Sequence, residues 1–289
     1  MKKIILLFCS VIVFGTQCIS AQQDPNFSLY NFNMNLLNPA YAGSEDSRGL
    51  TFAYRKQWLG NPDAPKSMSA TYSRELGKNL GLALNFYSDK FLISNRVNFS
   101  SDFSYNIQLQ ENTRLYMGLR LGGSFFNVEL TKVVTPVPDP LLSSDINAFN
   151  LHVGFGAYLV DTKYYVTVST PNFIKEKVKD RPNIETENTN FYMGGGYHID
   201  LNEDLVLTPR IMMRLMGTFE NTYDVGASLD YQEKLTFGTN YRIDEMVTLY
   251  GLIDVVESLR FGVSYDITTS NLSIFNSDGS LDLIIRYIF

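Results

Sequence analysis

Leu281-Asp-Leu-Ile-Ile-Arg-Tyr-Ile-Phe289 alternates in polarity along its length and ends on an aromatic residue. Successive side chains of a strand point to opposite faces. One face therefore carries Leu281, Leu283, Ile285, Tyr287 and Phe289, and the other carries Asp282 and Arg286 together with Ile284 and Ile288. A soluble edge strand could share this alternation, but the terminal Phe289 also resembles the signal read by the bacterial barrel-assembly machinery. The stretch is typical of an outer-membrane β-barrel, whose outer surface contacts lipid.

The amino-terminal residues 1–21 have the pattern of a secretory signal peptide. A basic start is followed by an apolar run over residues 4–14 and by Gln17-Cys-Ile-Ser-Ala21, a cleavage site of small residues. The run is shorter than the roughly 20 apolar residues of a spanning helix, which disfavours an uncleaved anchor. A lipoprotein signal at Cys18 is a second alternative, but Thr16-Gln17 lacks the small residue that lipobox processing prefers. We predict a mature chain that begins at Gln22.

Composition excludes some classes of function. Both cysteines, Cys9 and Cys18, lie in the signal peptide, so the mature chain would have no disulfide, thiolate nucleophile or cysteine-bound metal. The net charge of −6, without a cluster of lysine and arginine, argues against nucleic-acid binding. The 18 tyrosines and 20 phenylalanines suit strands and the aromatic girdles of a membrane barrel.

Alternation with period two continues through most of the chain, and residues 97–109 show it most clearly. Alternation alone fits a soluble sandwich as well as a membrane barrel, but the signal peptide, Phe289 and the number of long segments favour the barrel. The prediction is an all-β, transmembrane, outer-membrane antiparallel β-barrel of about 14 strands over residues 49–289. The predicted strands are 49–58, 67–76, 80–90, 96–109, 114–130, 147–160, 164–173, 190–200, 205–216, 222–232, 235–242, 247–257, 259–268 and 280–289.

The predicted connections are of two kinds. Residues 77–79, 202–204 and 232–234 are tight polar turns, whereas 131–146 and 174–189 are long. Short turns of such barrels usually face the periplasm and long loops the exterior. The long loops are read either as solvated loops or as a surface that binds a partner.

Residues 22–48 form a predicted amino-terminal extension outside the strand ladder. Pro25 and Pro39 prevent regular strand pairing, while Phe27, Tyr30 and Tyr41 need burial. We therefore expect this non-strand segment to pack at the periplasmic mouth or inside the lumen.

The same segment and the start of the first strand carry a specific resemblance. Asp24-Pro25, Tyr30, Asn38-Pro-Ala-Tyr-Ala-Gly43, Arg55-Lys-Gln-Trp58 and Pro65 resemble the opening of the PorP/SprF family. The resemblance implies an integral outer-membrane protein of the type IX secretion system of Bacteroidetes, whose members help to export or attach cell-surface proteins, including gliding adhesins. It also implies secretion-machinery subunits and a large secreted surface protein as partners, in addition to outer-membrane lipid. The candidate docking or family-motif residues are Asp24, Pro25, Tyr30, Asn38, Pro39, Ala40, Tyr41, Gly43, Arg55, Gln57, Trp58 and Pro65.

Trp58, the only tryptophan, has two readings. It could anchor the barrel at the membrane interface. Alternatively, Gln57, Trp58 and the turn that ends at Pro65 could form part of a surface that docks a secretion partner. The Asn38 to Gly43 run also has two readings. Its Asn-Pro and Ala-Gly pairs are typical of turns, and a role in partner recognition is suggested only by analogy.

The sequence offers no convincing catalytic, cofactor or metal site. His152 and His198 lie in alternating segments without a neighbouring carboxylate or serine motif. We therefore predict a non-enzymatic protein that needs no cofactor. One rival is an outer-membrane lipid hydrolase using Ser169, Asn172 and His198, although no spacing compels that scheme. A second rival is a passive channel for small or hydrophobic solutes, which a polar lumen with residues such as Asp102, Arg120 and Arg214 would permit.

Overall fold

The computed structural model describes residues 27–133, 135–136, 142–174, 176–178, 181–187, 189–216, 221–270 and 278–289. The predicted signal peptide, Asp24 and Pro25 lie outside these ranges. The strands are β1 (Gly49–Lys56), β2 (Lys66–Gly77), β3 (Leu80–Phe91), β4 (Ser94–Gln108), β5 (Arg114–Val128), β6 (Ile146–Val160), β7 (Tyr164–Thr170), β8 (Glu176–Val178), β9 (Arg181–Glu187), β10 (Asn190–Tyr197), β11 (Ile199–Asn202), β12 (Leu205–Met216), β13 (Thr222–Tyr231), β14 (Leu235–Arg242), β15 (Met246–Val256), β16 (Leu259–Thr268) and β17 (Ser280–Tyr287).

These strands form a closed antiparallel barrel. β8 and β9 are not part of the barrel sheet, in which consecutive strands pair from β1 to β7 and from β11 to β17. The ring is completed by the pairings of β1 with β17, of β7 with β10 and of β10 with β12. β10 and β11 are two parts of one strand, because both pair with β12 in succession. The short strands β8 and β9 pair with each other in the connection between β7 and β10, and both contact β6. The barrel therefore has 14 strands, which confirms the predicted fold and strand number.

Side chains alternate between the lipid face and the lumen, as period two predicts. On β3, Leu84 and Phe86 are 47% and 41% exposed, while Ala83 and Asn85, at the alternate positions, are buried. On β17, Asp282 is buried in the lumen and Ile285 is exposed on the outer face. The outer face is apolar and the lumen is largely polar, which is the arrangement of a membrane barrel.

The two ends of the barrel differ in their connections. The start of β1, the end of β17 and turns such as Lys78–Asn79 lie at one end, the short-turn end. Lys78 and Asn79 both have positive φ angles (53° and 64°), as a two-residue type I′ hairpin requires. Residues 129–145 and 171–189 connect strands at the opposite, long-loop end. The rule for outer-membrane barrels places the short-turn end at the periplasm.

Residues 27–47, here called the luminal segment, precede β1 and contain no strand. They form four 3-10 helices, Tyr30–Phe32, Met34–Leu36, Pro39–Tyr41 and Glu45–Ser47, and a fifth 3-10 helix, Leu130–Lys132, follows β5. This confirms the predicted non-strand character of the amino-terminal region. Within the described ranges, no helix is long and apolar enough to cross a membrane.

Candidate functional site

The luminal segment runs through the interior of the barrel. Phe27 and Leu29 pack with Tyr87, Tyr250 and other barrel residues in one buried cluster. Tyr30, Met34, Ala40 and Tyr41 pack with Tyr116, Tyr158, Tyr192 and Met212 in a second. Because these clusters join the segment to strands on opposite sides of the barrel, the segment occupies the lumen.

An ionic cluster holds the first described turn of the luminal segment. The Ser28 amide donates to Asp282 (2.7 Å), and the Ser28 hydroxyl donates to Asp266 (2.7 Å). Arg55 Nη1 bridges the two carboxylates, at 2.6 Å from Asp266 and 2.5 Å from Asp282. Since Arg55, Asp266 and Asp282 belong to β1, β16 and β17, the segment is tied to three adjacent strands.

A second cluster holds Tyr30. The Arg214 guanidinium lies 4.7 Å from the centre of the Tyr30 ring, a cation–π contact. Asp224 accepts from Arg214 (2.8 Å) and from Arg242 (2.7 Å). Burial, followed by the negative charge of Asp224, raises the pKa of the Tyr30 phenol well above its usual value. Tyr30 is therefore a neutral ring packed against the Arg214 guanidinium, which Asp224 pairs with.

Arg120 holds the middle of the luminal segment. Its Nε and Nη2 donate to the two oxygens of Asp102, both at 2.7 Å. Its remaining donors reach the carbonyls of Leu36, at 2.9 Å, and of Asn35. One guanidinium thus neutralises a luminal carboxylate and supports two carbonyls of a segment that has no ladder partner of its own.

The run from Asn38 to Gly43 lies in a cradle of luminal glycines. A Cβ on Gly118 would come 2.1 Å from the amide nitrogen of Ala40, and one on Gly156 would come 1.9 Å from Asn38 Oδ1. A Cβ on Gly81 would likewise meet the Ala42 carbonyl at 2.1 Å. Only glycine permits so close an approach of two backbones. Gly81, Gly118 and Gly156, here called the glycine cradle, therefore shape the floor on which the run rests.

Hydrogen bonds fix the run in this cradle. Asn38 caps the Pro39–Tyr41 helix by accepting from the Ala40 amide (2.8 Å). Its Nδ2 donates to Thr167 Oγ1 (2.7 Å) and to the Ala157 carbonyl (3.0 Å). Burial raises the pKa of Tyr41, so its ring packs as a neutral group against Tyr158, with 4.9 Å between ring centres. Asn38 is therefore fully engaged inside the barrel.

The structure divides the candidate docking residues into two groups. Tyr30, Asn38, Pro39, Ala40, Tyr41, Gly43 and Arg55 lie inside the barrel, where each contacts the luminal segment or belongs to it. Gln57, Trp58 and Pro65 lie in the β1–β2 connection at the long-loop end. There the Gln57 amide donates to the Pro65 carbonyl (3.0 Å), and the Trp58 ring packs edge-on against Phe91 at 6.0 Å. A docking role for either group stays a prediction.

Phe289, the predicted assembly signal, lies at the short-turn end. Its ring is 54% exposed and packs beside Tyr72 and Tyr287, with ring centres 5.7 Å and 6.3 Å away. It extends the lipid-facing row of the closing strand β17, although no contact tests its reading as a signal.

Sequence reasoning missed the glycine cradle and the pairing partners Asp224 and Arg242. The signal available for the cradle was a glycine at an inward position of an alternating strand, as at Gly118 and Gly156. Such glycines remove side-chain volume from the lumen, which indicates that something else fills it.

A cavity of about 130 Å³ lies above the luminal segment, toward the long-loop end. We call it the luminal chamber. Its apolar wall includes Phe27, Tyr30, Leu36, Tyr87, Phe99 and Tyr192, and its polar wall includes Asn85, Asn98, Asn172, Asn190, Arg96, Arg120, Arg214 and His152. Asn85 Oδ1, Asn98 Oδ1 and Arg214 Nε are buried without a hydrogen-bond partner in the described structure. The chamber thus has room for one aromatic ring, and its wall carries polar atoms that have no hydrogen-bond partner in the described structure.

The ladder between β6 and β7 covers only part of β6. Pairing between β6 and β7 runs only from Val160↔Tyr165 to Phe155↔Thr170, although β6 begins at Ile146. Pro171 follows β7 and has no N–H to continue the ladder. Beyond the ladder, one further backbone hydrogen bond joins the two chain segments, from the Phe173 amide to the Val153 carbonyl (2.7 Å). Beyond this ladder, β6 also contacts the short strands β8 and β9.

The residues of the rival hydrolase scheme are dispersed. Ser169 pairs in register with Tyr192, and its hydroxyl donates to the Leu37 carbonyl at 2.8 Å. His198 follows Tyr192 by six residues along the β10–β11 strand, and its ring nitrogen is hydrogen-bonded to the Thr208 hydroxyl. At about 3.3 Å per residue this separates the serine from the histidine by roughly 20 Å. Nor do the described residues contain a group of three potential metal ligands.

Comparison with known proteins gives a family and a fold. The family model described as "Type IX secretion system membrane protein PorP/SprF" matches residues 19–287. The structure of a Pseudomonas aeruginosa FadL homologue is 12% identical, with a TM-score of 0.51, and the match covers 93% of this chain and 96% of that one. The P. putida toluene transporter TodX is 9% identical, with a TM-score of 0.49, over 87% and 92% of the chains. At 12% identity the likeness to the FadL homologue shows the barrel fold alone. The search of curated proteins found no match.

Proposed function

We propose, on the premise that this chain belongs to the PorP/SprF family of type IX secretion system membrane proteins, that it supports the export or surface attachment of cell-surface proteins, gliding adhesins among them. The chain is an integral outer-membrane β-barrel. In this proposal it acts without enzymatic chemistry, beside subunits of the secretion machinery and a large secreted surface protein. The family match carries the proposal.

The occupied lumen favours this role over that of a passive channel. An open channel needs a continuous water-filled path. The luminal segment instead fills the lumen, where Asp282 holds it directly, Asp224 and Asp102 hold it through their arginine partners, and the glycine cradle supports it. A barrel whose lumen is filled by its own chain offers its rims and the luminal chamber to a partner.

The dispersed serine and histidine support a non-enzymatic role. Acyl transfer needs nucleophile and base within hydrogen-bonding reach of each other. Ser169 instead supports the backbone of the luminal segment through Leu37. The rival lipid hydrolase therefore has no catalytic arrangement among these residues.

The experiment that tests the proposal compares the surface proteins of the native host with and without this chain. Surface-exposed proteins are labelled with a membrane-impermeant biotin reagent and quantified by mass spectrometry. We expect deletion to remove one large surface protein, or a small set of them, and a plasmid copy of the chain to restore it. An unchanged surface proteome would overturn the proposal, particularly if deletion altered solute uptake or lipid hydrolysis instead.

Complementation with variants of Trp58 separates its two predicted roles. Trp58→Phe keeps an aromatic ring against Phe91, whereas Trp58→Ala removes it. If Trp58 anchors the barrel, Trp58→Ala lowers the amount of folded barrel in the membrane. If Trp58 docks a partner, barrel amounts stay normal and surface display falls.

A further inference from the structure

We infer that the chain enters the barrel from the extracellular side, so that the residues before Phe27, Asp24 and Pro25 among them, are presented at the cell surface. The luminal segment then crosses the lumen from outside to inside before β1 begins. Only the consequence for a partner rests on the proposed function, because the route of the chain is read from its own contacts.

The first observation is that the luminal segment starts near the long-loop end. The Ser28 amide and hydroxyl bind Asp282 and Asp266, both at 2.7 Å. Asp282 is the third residue of β17, and Asp266 pairs in register with Ser280, the first. Because β17 begins at the long-loop end, Ser28 lies about two residues, or roughly 7 Å, from that end.

The last part of the luminal segment lies at the opposite end. The Gly43 amide donates to the Ser73 hydroxyl (2.9 Å), and the Ser47 hydroxyl lies 2.8 Å from the same oxygen. Arg286, next to the last residue of β17, donates to the Asp46 carbonyl. Four residues of an antiparallel strand, as from Asp282 to Arg286, span about 13 Å. The segment therefore runs through the lumen from the long-loop end to the short-turn end.

The occupied lumen blocks a return of the preceding residues to the periplasm. If cleavage follows Ala21 as predicted, five residues precede Phe27. Fully extended, they reach about 17 Å, which is the length of β17 from Asp282 to its short-turn end. They would reach the periplasm only along a straight path, and the buried rings packed around the segment, such as Tyr30 and Tyr41, occupy that space.

The second observation is the chemistry of the outward path. Phe27 lines the luminal chamber, which lies between the luminal segment and the long-loop end. Arg96, Arg120 and Arg214 line it too, and none of the described residues in its wall is an aspartate or a glutamate. Asp24 is the only acidic residue from position 22 to position 26. Guanidinium groups attract a carboxylate, so the chamber wall favours the passage of this stretch outward.

The route has a consequence for the partner of the proposed function. Asp24 and Pro25 are candidate docking residues, and this route places them on the side of the long loops. An exported protein reaches that side of the outer membrane, whereas periplasmic subunits of the machinery meet the short-turn end. Asp24 and Pro25 are therefore assigned to the surface that meets the exported protein.

Cysteine labelling of the full chain in its native host tests the route. Cys9 and Cys18 lie in the predicted signal peptide, so an introduced cysteine is the only thiol of the mature chain. Gln23→Cys places that thiol in the stretch before the luminal segment. Asp63→Cys, in the exposed β1–β2 connection at the long-loop end, is the control for the cell surface. Lys78→Cys, in the exposed turn at the short-turn end, is the control for the periplasm.

The readout is the fraction of folded barrel that reacts with a maleimide carried on a polyethylene-glycol chain too large to cross the outer membrane. Intact cells are compared with permeabilised cells, and folded barrel is measured in the same membranes. In intact cells, we expect Gln23→Cys to react within about twofold of Asp63→Cys and about tenfold more than Lys78→Cys, because access limits the reaction of a thiol.

Reaction of Gln23→Cys only after permeabilisation, as for Lys78→Cys, would overturn the inference, since residue 23 would face the periplasm. Reaction in neither sample would overturn it as well, because residue 23 would then be enclosed in the barrel. A barrel in which Lys78→Cys reacts in intact cells and Asp63→Cys does not would be reversed, which contradicts the inference too. None of these results bears on the proposed function, which fails only if deletion leaves the surface proteins unchanged.

Discussion

Replacing Gly118 with alanine should disturb the luminal segment while leaving the strand ladder intact. The new Cβ would lie 2.1 Å from the Ala40 amide nitrogen and 2.3 Å from the Pro39 carbonyl carbon. Both are backbone atoms, so no side-chain rotation relieves the clash. Overpacking of this kind costs about 1 to 3 kcal/mol. We expect the free energy of unfolding to fall by that amount, because the run from Asn38 to Gly43 must rise out of the glycine cradle.

The measurement is guanidinium-induced unfolding of the purified barrel in lipid vesicles. Gly251→Ala is the matched control, since its Cβ would make only ordinary contacts, 3.5 Å from the Phe237 ring and 3.9 Å from the Thr236 carbonyl oxygen. That control should change the free energy of unfolding by less than about 0.5 kcal/mol. If Gly118→Ala were as stable as the control, the luminal segment would not rest on Gly118 and the reasoning from the cradle would be refuted.

Three further predictions address the outer face, the ionic cluster and the buried phenols. Leu84→Lys should lower the free energy of unfolding by about 2 to 4 kcal/mol because the charge enters lipid, whereas Ser100→Lys, in the polar chamber, should cost much less in the same titration. Asp282→Ala should lower the free energy of unfolding by about 3 kcal/mol or more, because it leaves Arg55 with one of its two carboxylates and the Ser28 amide without its acceptor. A decrease of less than about 1 kcal/mol in that titration would contradict the role of the ionic cluster. Because the pKa values of Tyr30 and Tyr41 are raised in the folded protein, these phenols lose their protons at lower pH in the unfolded chain. The free energy of unfolding should therefore decline as pH rises beyond 10.0. Ultraviolet titration should show phenols that ionise only on unfolding.

Much of the fold could be predicted from alternation alone. Period two sets which face of a strand meets lipid, so the boundaries of all barrel strands followed within a few residues. The first strand ends at Lys56 rather than Trp58, because Trp58 has a positive φ of 46° that ends the extended conformation. The inward placement of Asp102, Arg120 and Arg214 also followed from their positions on alternating strands.

The content of the lumen could not be predicted in the same way. Alternation shows that Gly118 or Asp224 faces inward but not which segment it meets, since that depends on barrel closure and on pairings far apart in sequence. Asn38 and Arg55, two of the candidate docking or family-motif residues, have partners inside the barrel that the sequence did not indicate, and their docking role stays a prediction. The extent of the β6–β7 ladder could not be predicted either, because alternation does not fix how far two strands pair.

The most direct test of the account is the ion conductance of the purified full chain in a planar lipid bilayer. Because the luminal segment is held at Ser28, Tyr30 and Asn38, we expect a closed barrel that shows no steady channel currents. A closed barrel suits a component that acts on secreted chains rather than on solutes. A stable, open-channel conductance from the unaltered protein would contradict the occupied lumen and favour the channel.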